Sequence, residues 1–286
     1  MADIKIVVDT SSDIPKEMLE KYDIGLLSFI SIFGEEAYVS GVDLSNQEFY
    51  EKLEQSGQIP TTSQTPYADM YDYLLEQTRL HESVIYFTIS SKGSGQNHTA
   101  NMVAEDILLE NPEADLHIVD TMTFSLYIAQ TACHAAELVR QGKSVEEILA
   151  ECAAYVKSWH ALLLVDTLKY LEKGGRINKA AAIVGTLLDI KPVLTIRDGL
   201  VEAEDKLRGK KKILDKLIEK VKEHPAFNAE HPEFLVVHSD AQKGEELKKK
   251  LQQEFQIDDI TMLSEFGPIV GTHTGPGAVA VIFRTK

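Results

Sequence analysis

Cysteine is scarce: two residues in a chain of 286, Cys133 and Cys152. Both fall inside helix-period patterns and neither has a CxxC neighbour, which excludes a disulfide framework and gives no zinc-ligand spacing. Both are expected to be buried free thiols, and no metal site is expected. Long apolar runs are also missing. Nothing approaches the ~20 residues of a transmembrane helix, and the stretch from Met1 to Asp13 has neither the basic start nor the apolar core of a secretory signal. These absences predict a cytoplasmic protein without stable membrane insertion. Cations are outnumbered, 29 Lys and Arg against 45 Asp and Glu, for a net charge of −16. Attraction to phosphate backbones or anionic lipid is therefore disfavoured, and nucleic acid is not an expected partner. Neither the GxxxxGK[ST] of a phosphate loop nor the GxGxxG of a dinucleotide fold occurs.

What is present is the composition of a globular protein, 44% hydrophobic and 26% charged, and a length that suggests two domains. The first, 1–159, reads as α/β. A β run at Ile4 to Val8 ends in Asp9-Thr10-Ser11-Ser12-Asp13 and leads to a helix with Met18, Leu19 and Tyr22 on one side. The same order recurs at Val84 to Ile89 and at Leu116 to Val119. Asp9 invites comparison with the DxDx[TV] of aspartyl-phosphate phosphatases, but Ser11 stands where the second acid belongs. The loop therefore reads as a helix cap with polar contacts. Gly25 to Phe33 reads as one β run, and Ser45 with Glu48 as a capping box. The boundary is set by a new strand at Ala161 to Val165. In 160–286, Asp198-Gly199 joins two β runs as a hairpin, and Lys206 to Lys212 is a basic run ahead of a helix. Ala180 to Ile190 has almost no polar face, as expected of a segment buried throughout or covering an apolar cavity.

Three polar clusters call for a common explanation. Thr61-Thr62-Ser63-Gln64-Thr65 lies between Pro60 and Pro66, just before a helix that one of these hydroxyls could cap. Ser90 to Asn97 is a Gly/Ser-rich strand-to-helix turn, a natural seat for an anion at the positive end of a helix. Phe266 to Ala278 holds four glycines and two prolines around Thr272, His273 and Thr274, a composition that reads as a tight loop with an unusual backbone path.

Taken in order, these segments resemble the DegV family of bacterial fatty-acid-binding proteins, the group that includes the acyl-carrying subunits of fatty acid kinase. The resemblance runs from Ile6-Val7-Val8-Asp9-Thr10-Ser11-Ser12-Asp13 through TTSQ at 61–64, SSxxSG at 90–95, Leu168 to Ile177, KPVL at 191–194 and the run around Arg208, to Gly271-Thr272-His273-Thr274-Gly275-Pro276-Gly277-Ala278. It implies a two-domain fold, an N-terminal parallel-sheet α/β domain and a C-terminal α+β domain with a lipid tunnel between them. It also implies that Thr62 and Ser94, with their neighbours Ser63 and Gly95, hold a carboxylate beside His273 and Thr274. Arg176 would belong to a mobile gate and Arg208 to a partner-facing surface. The chain departs from the family pattern at Gly93 to His98 and at Met122-Thr123-Phe124, which bears on the tunnel's shape and the preferred chain.

The function so implied is that of a carrier rather than an enzyme. One long-chain fatty acid, such as palmitate, stearate or oleate, is the ligand, no cofactor is needed, and a separate ATP-dependent fatty acid kinase converts the presented carboxylate to acyl phosphate. An apolar tail supplies affinity and a ring of hydroxyls supplies register. Two other readings stay open on the residues: an acyl hydrolase or acyltransferase using Ser94 with His273 as base, and a carrier of another apolar acid.

Overall fold

The computed structural model describes residues 3–177, 190–209 and 212–286. β1 (Ile4–Asp9) is followed by a 3-10 turn, α1 (Lys16–Tyr22), β2 (Gly25–Leu27), β3 (Ile30–Phe33), β4 (Glu36–Val39), α2 (Asn46–Ser56) and β5 (Thr61–Ser63). Next come α3 (Tyr67–Leu80), β6 (Ser83–Thr88), α4 (Gln96–Glu110), β7 (Leu116–Asp120), α5 (Leu126–Arg140) and α6 (Val145–Tyr155). The later part holds β8 (Trp159–Leu164), α7 (Lys169–Gly174), β9 (Ile190–Arg197), β10 (Leu200–Arg208), α8 (Ile213–Glu223) and β11 (Phe234–His238). It closes with α9 (Ala241–Phe255), β12 (Met262–Glu265), α10 (Pro268–Thr274) and β13 (Val279–Arg284).

The strands of the first half form a parallel sheet, β2-β1-β6-β7, and a small antiparallel sheet, β4-β3-β5. β6 is buried along its whole length, as a strand covered by helices on both faces must be, and this is why its sequence is an unbroken apolar run. Successive residues serve opposite layers. Val7 and Tyr86 pack with Met70 and Leu74 of α3 and Val103 of α4, while Ile6, Val8, Ile85 and Phe87 pack with Leu126, Ile128 and Ala132 of α5.

The run read as one strand, Gly25 to Phe33, is two strands in different sheets. The break at Ser28-Phe29 is held by hydroxyls: Thr10 Oγ1 accepts the Phe29 N–H at 3.1 Å, and Thr65 Oγ1 donates to the Ser28 carbonyl at 2.9 Å. Side-chain bonds replace ladder bonds there, so the chain crosses from one sheet to the next without orphaned backbone groups. The capping box of Ser45 and Glu48 is formed as expected.

From Trp159 onward the chain builds a six-stranded sheet of order β10-β9-β8-β13-β11-β12, antiparallel except for β11 against β12. The β9–β10 hairpin turns at Asp198 (φ 49°) and Gly199 (φ 77°), the pair of positive φ values that a two-residue hairpin needs. One face of the sheet, with Leu162, Leu164, Val193, Val236, Val281 and Phe283, is covered by α8 and α9. The other, with Ala161, Leu163, Leu194, Val237, Ala280 and Ile282, turns toward the parallel sheet and shares its core. The fold is thus α/β with a second sheet-rich domain, and its largest apolar cluster lies between the two.

Three expectations need comment. Lys206, Leu207 and Arg208 are the last residues of β10 rather than the head of a helix, because α8 begins only at Ile213. Of the apolar segment Ala180 to Ile190, residues 180–189 lie outside the described residues and Ile190 opens β9. Cys133 and Cys152 are buried free thiols.

The loop after β1 does more than cap. Asp9 accepts from the Ser11 N–H at 3.0 Å and from the Tyr86 hydroxyl at 2.9 Å. Asp13 joins the halves: its carboxylate pairs with the Ser125 hydroxyl and accepts the Gly267 N–H at 2.8 Å, and its carbonyl accepts from Ser264 Oγ at 2.6 Å. Burial pushes the Asp13 carboxyl up to about 8, against the pull of those hydrogen bonds, and Asp9 and Glu265 raise it further. The folded protein therefore holds a proton that the unfolded chain releases near pH 4, so this contribution to stability is complete below that pH and is lost as pH rises toward 8. The Asp13→Asn variant keeps the shape without the ionisation and should be the more stable protein at pH 9, with a smaller change in urea midpoint between pH 6 and pH 9. Equal pH dependence in the two proteins would exclude Asp13 as its source.

Candidate ligand-binding site

The glycine- and proline-rich stretch at 266–278 is not a loop throughout. Pro268 takes the first position of α10, where its fixed φ suits a helix and its missing N–H costs nothing. Gly275 (φ 73°) and Gly277 (φ 75°) then turn the chain into β13. The short helix spends two hydroxyls on itself, Thr272 Oγ1 on the Pro268 carbonyl at 2.7 Å and Thr274 Oγ1 on the Val270 carbonyl at 3.2 Å. His273 is left pointing away from those bonds, and its Nε2 lies 3.2 Å from Thr62 Oγ1.

Thr62 is free to meet it because α3 is capped at Pro66 with no side-chain bond; the simple capping explanation of the Thr/Ser cluster does not hold. β5 instead pairs Thr62 with Ser31 in the small sheet. The Ser90–Asn97 turn is then locked onto this strand. Gly95 lies so close to the Gln64 amide that a Cβ there would overlap it, and Gln64 Nε2 donates to Thr99 Oγ1 at 2.5 Å. The N–H groups of Gly93 and Ser94 close on the Ser90 carbonyl, so they are not the anion donors a bare turn would suggest. Ser94 Oγ accepts the Gln96 N–H at 3.2 Å, which leaves its own proton to donate.

Thr62, Ser94, Arg176, His273 and Thr274 all line one cavity of about 90 Å³, whose other walls are mainly apolar. Leu163, Val237 and Ala280 form one row of its floor across β8, β11 and β13, and Ala161 and Ile282 the next. Phe29, Ile89 and Tyr127 come from the first half. A second, outer groove shares Gly93, Ser94, Phe124, Arg176 and Val201 with the cavity and adds Lys92 and Glu202. Arg176 therefore borders both the cavity and the outer groove, its Nε donating to the Gly93 carbonyl at 3.0 Å and its Nη1 to that of Gly174.

Burial, and secondarily the Arg176 charge, lowers His273 to about 4, so the ring is neutral at pH 7. Its Nδ1 is buried with no hydrogen-bond partner among the described residues, and the ring packs on Gly174 so closely that a Cβ there would overlap it. Inward-facing hydroxyls at one end of an apolar hole are a binding arrangement for a small acceptor group attached to a greasy body.

Over residues 3–286 the chain matches the family model described as "Uncharacterised protein, DegV family". The chain belongs to the DegV family. Protein DegV of Bacillus subtilis is 31% identical over 286 residues, covering 99% of each chain. The crystal structure of DegV, a fatty acid binding protein from Bacillus subtilis, superposes with a TM-score of 0.86 at 27% identity, covering all of both chains. A stearic acid-binding protein from Eubacterium ventriosum gives a TM-score of 0.88 at 25% identity, covering 99% of this chain and 98% of that one.

Among the residues singled out from the sequence of this DegV chain, three are not on the cavity wall. Ser63 is exposed, with its hydroxyl on the Gln64 carbonyl, because alternation along β5 turns it away when Thr62 faces in. Arg208 ends β10, exposed, and is not among the cavity's lining residues. Gly95 lines the outer groove. Sequence reading missed Phe124, Ser125 and Tyr127, all on the cavity wall. Ser125 has φ 58° and ψ −137°, costly for a residue with a Cβ, and is held there by Asp13. The departure from the family pattern at 122–124 was the one signal pointing to this wall.

Proposed function

We propose that this protein binds a single long-chain fatty acid and offers its carboxylate to a separate kinase for conversion to acyl phosphate. The observation that carries the reading is the apolar cavity lined at one place by Thr62, Ser94 and a neutral His273. An ionised carboxylate only accepts hydrogen bonds. With Nε2 protonated, His273 donates to Thr62, which frees the Thr62 proton for the ligand, and Ser94 has its proton free as well. Each such bond to a charged group is worth about 1.5–3 kcal/mol. A sixteen-carbon acid buries about fourteen methylenes at ~0.8 kcal/mol each, or about 11 kcal/mol before ordering costs. The solved relatives described as binding fatty acids support the ligand class.

Support for the kinase half is the outer groove, which borders the same turn and shares Arg176, Phe124 and Val201 with the cavity. Movement of Arg176 would open a path for a phosphoryl donor, and exposed Arg208 remains the proposed contact with the partner. A chemistry within this chain is less well supported. The imidazole that would serve Ser94 as base is paired with Thr62 instead, and its Nδ1 lacks the orienting partner that a triad requires. The test is acyl-phosphate formation, trapped with hydroxylamine, from palmitate, ATP and the kinase of the same cell. Product that depends on this chain is expected; product formed equally without it would overturn the kinase half.

A further inference from the structure

Away from the cavity, on the face of the six-stranded sheet that α8 and α9 cover, three side chains from separate elements converge. His160 comes from β8, Glu204 from β10 and His224 from the end of α8. One nitrogen of each ring and one carboxylate oxygen all lie within 4.8 Å of one another. His160 Nε2 is 3.5 Å from Glu204 Oε1. Tetrahedral ligands at the usual Zn–N and Zn–O lengths sit about 3.4 Å apart, so one edge already has that span and His224 needs to close by at most about 1.4 Å.

Four features suit the cluster to a ligand. The strand register slips between Ala203 and Asp205, leaving Glu204 at a β-bulge; a bulge re-aims a side chain that regular alternation would send elsewhere. Among the described residues Glu204 Oε2 is buried without a hydrogen bond, and the nearest cation is Arg197 Nη2 at 3.5 Å. The His224 ring stacks on that of His160, with centroids 4.2 Å apart and planes 28° apart, which keeps the two imidazoles side by side. The Phe283 ring lies 5.4 Å from His160 and 5.2 Å from His224, an apolar backing for both, and Thr195 Oγ1 lies 3.3 Å from His160 Nε2.

We propose that His160, Glu204 and His224 form a binding site for a divalent transition-metal ion of the zinc class. Two imidazoles and one carboxylate suit Zn²⁺ and Co²⁺, whereas Mg²⁺ and Ca²⁺ prefer all-oxygen shells. The remaining position falls to water or to Thr195. The ion would tie β8, β10 and α8 together behind the cavity, since Ala161 and Ile196, next in sequence to His160 and Thr195, line its wall.

The test is calorimetric titration of chelator-treated full-length protein with Zn²⁺, together with the visible absorption of its Co²⁺ adduct. One equivalent of Zn²⁺ should bind, with a Co²⁺ spectrum of four- or five-coordinate form. His224→Ala and Glu204→Gln should each weaken binding at least tenfold. Glu204→Gln keeps the side-chain volume, and a circular dichroism spectrum matching the wild type makes its result independent of misfolding. Absence of a saturable single site, or unchanged affinity in both variants, would overturn the proposal.

Discussion

Replacing Ala280 by Phe is expected to yield a folded protein that has lost its fatty acid. Ala280 is buried in β13 between Val237 and Leu163, and all three line the cavity floor. A benzyl side chain there projects into empty space, so it fills a void instead of overpacking a filled core. It would displace about half of the acyl chain. Seven methylenes at ~0.8 kcal/mol correspond to about 5 kcal/mol, so affinity should fall by at least a hundredfold even after partial accommodation. Fluorescent fatty-acid titration reads the loss, and the melting temperature should stay within a few degrees of wild type. Wild-type affinity in this variant would mean that the row of β13, β11 and β8 is not the tunnel floor.

The second large effect concerns the head group. In the Thr62→Ala/Ser94→Ala variant the tail still finds its apolar walls, but the two hydroxyls proposed to position the carboxylate are gone. Each loss is worth about 1.5–3 kcal/mol, and the expected outcome is a drop of at least a hundredfold in hydroxylamine-trapped acyl phosphate, with a much smaller change in affinity for the tail. Removing Thr62 also takes away the partner of His273 Nε2, so a neutral ring already lacking a bond at Nδ1 becomes free to turn. Unchanged acyl-phosphate yield would remove both hydroxyls from the site.

How much of this could be read from the chain follows from what each feature depends on. β6, α5 and the Asp198-Gly199 hairpin follow from local rules, because burial on both faces, helical periodicity and a positive-φ turn each leave a mark within a few residues. The break at Ser28-Phe29 left no such mark: it depends on hydroxyls of Thr10 and Thr65, far away in sequence. For the same reason Asp13 looked like a loop residue, although its partners are Ser125, Ser264 and Gly267. Phe266 to Ala278 was misread in kind, since proline and glycine density marks a helix start at Pro268 as well as a loop. Thr62, Ser94, Arg176, His273 and Thr274 were legible as a set only through a family resemblance, and they do meet at one cavity. His160, Glu204 and His224 obey no spacing rule at all, because sheet register and a bulge bring them together.

The central claim is that a long acyl chain occupies the space between the two sheets with its acid end at Thr62, Ser94 and His273. Native mass spectrometry of the protein, purified gently and without added lipid, tests it most directly. The account predicts one added mass of a C16 to C18 fatty acid per chain, released on denaturation. A spectrum of the bare chain that stays bare after incubation with palmitate, stearate and oleate would contradict it.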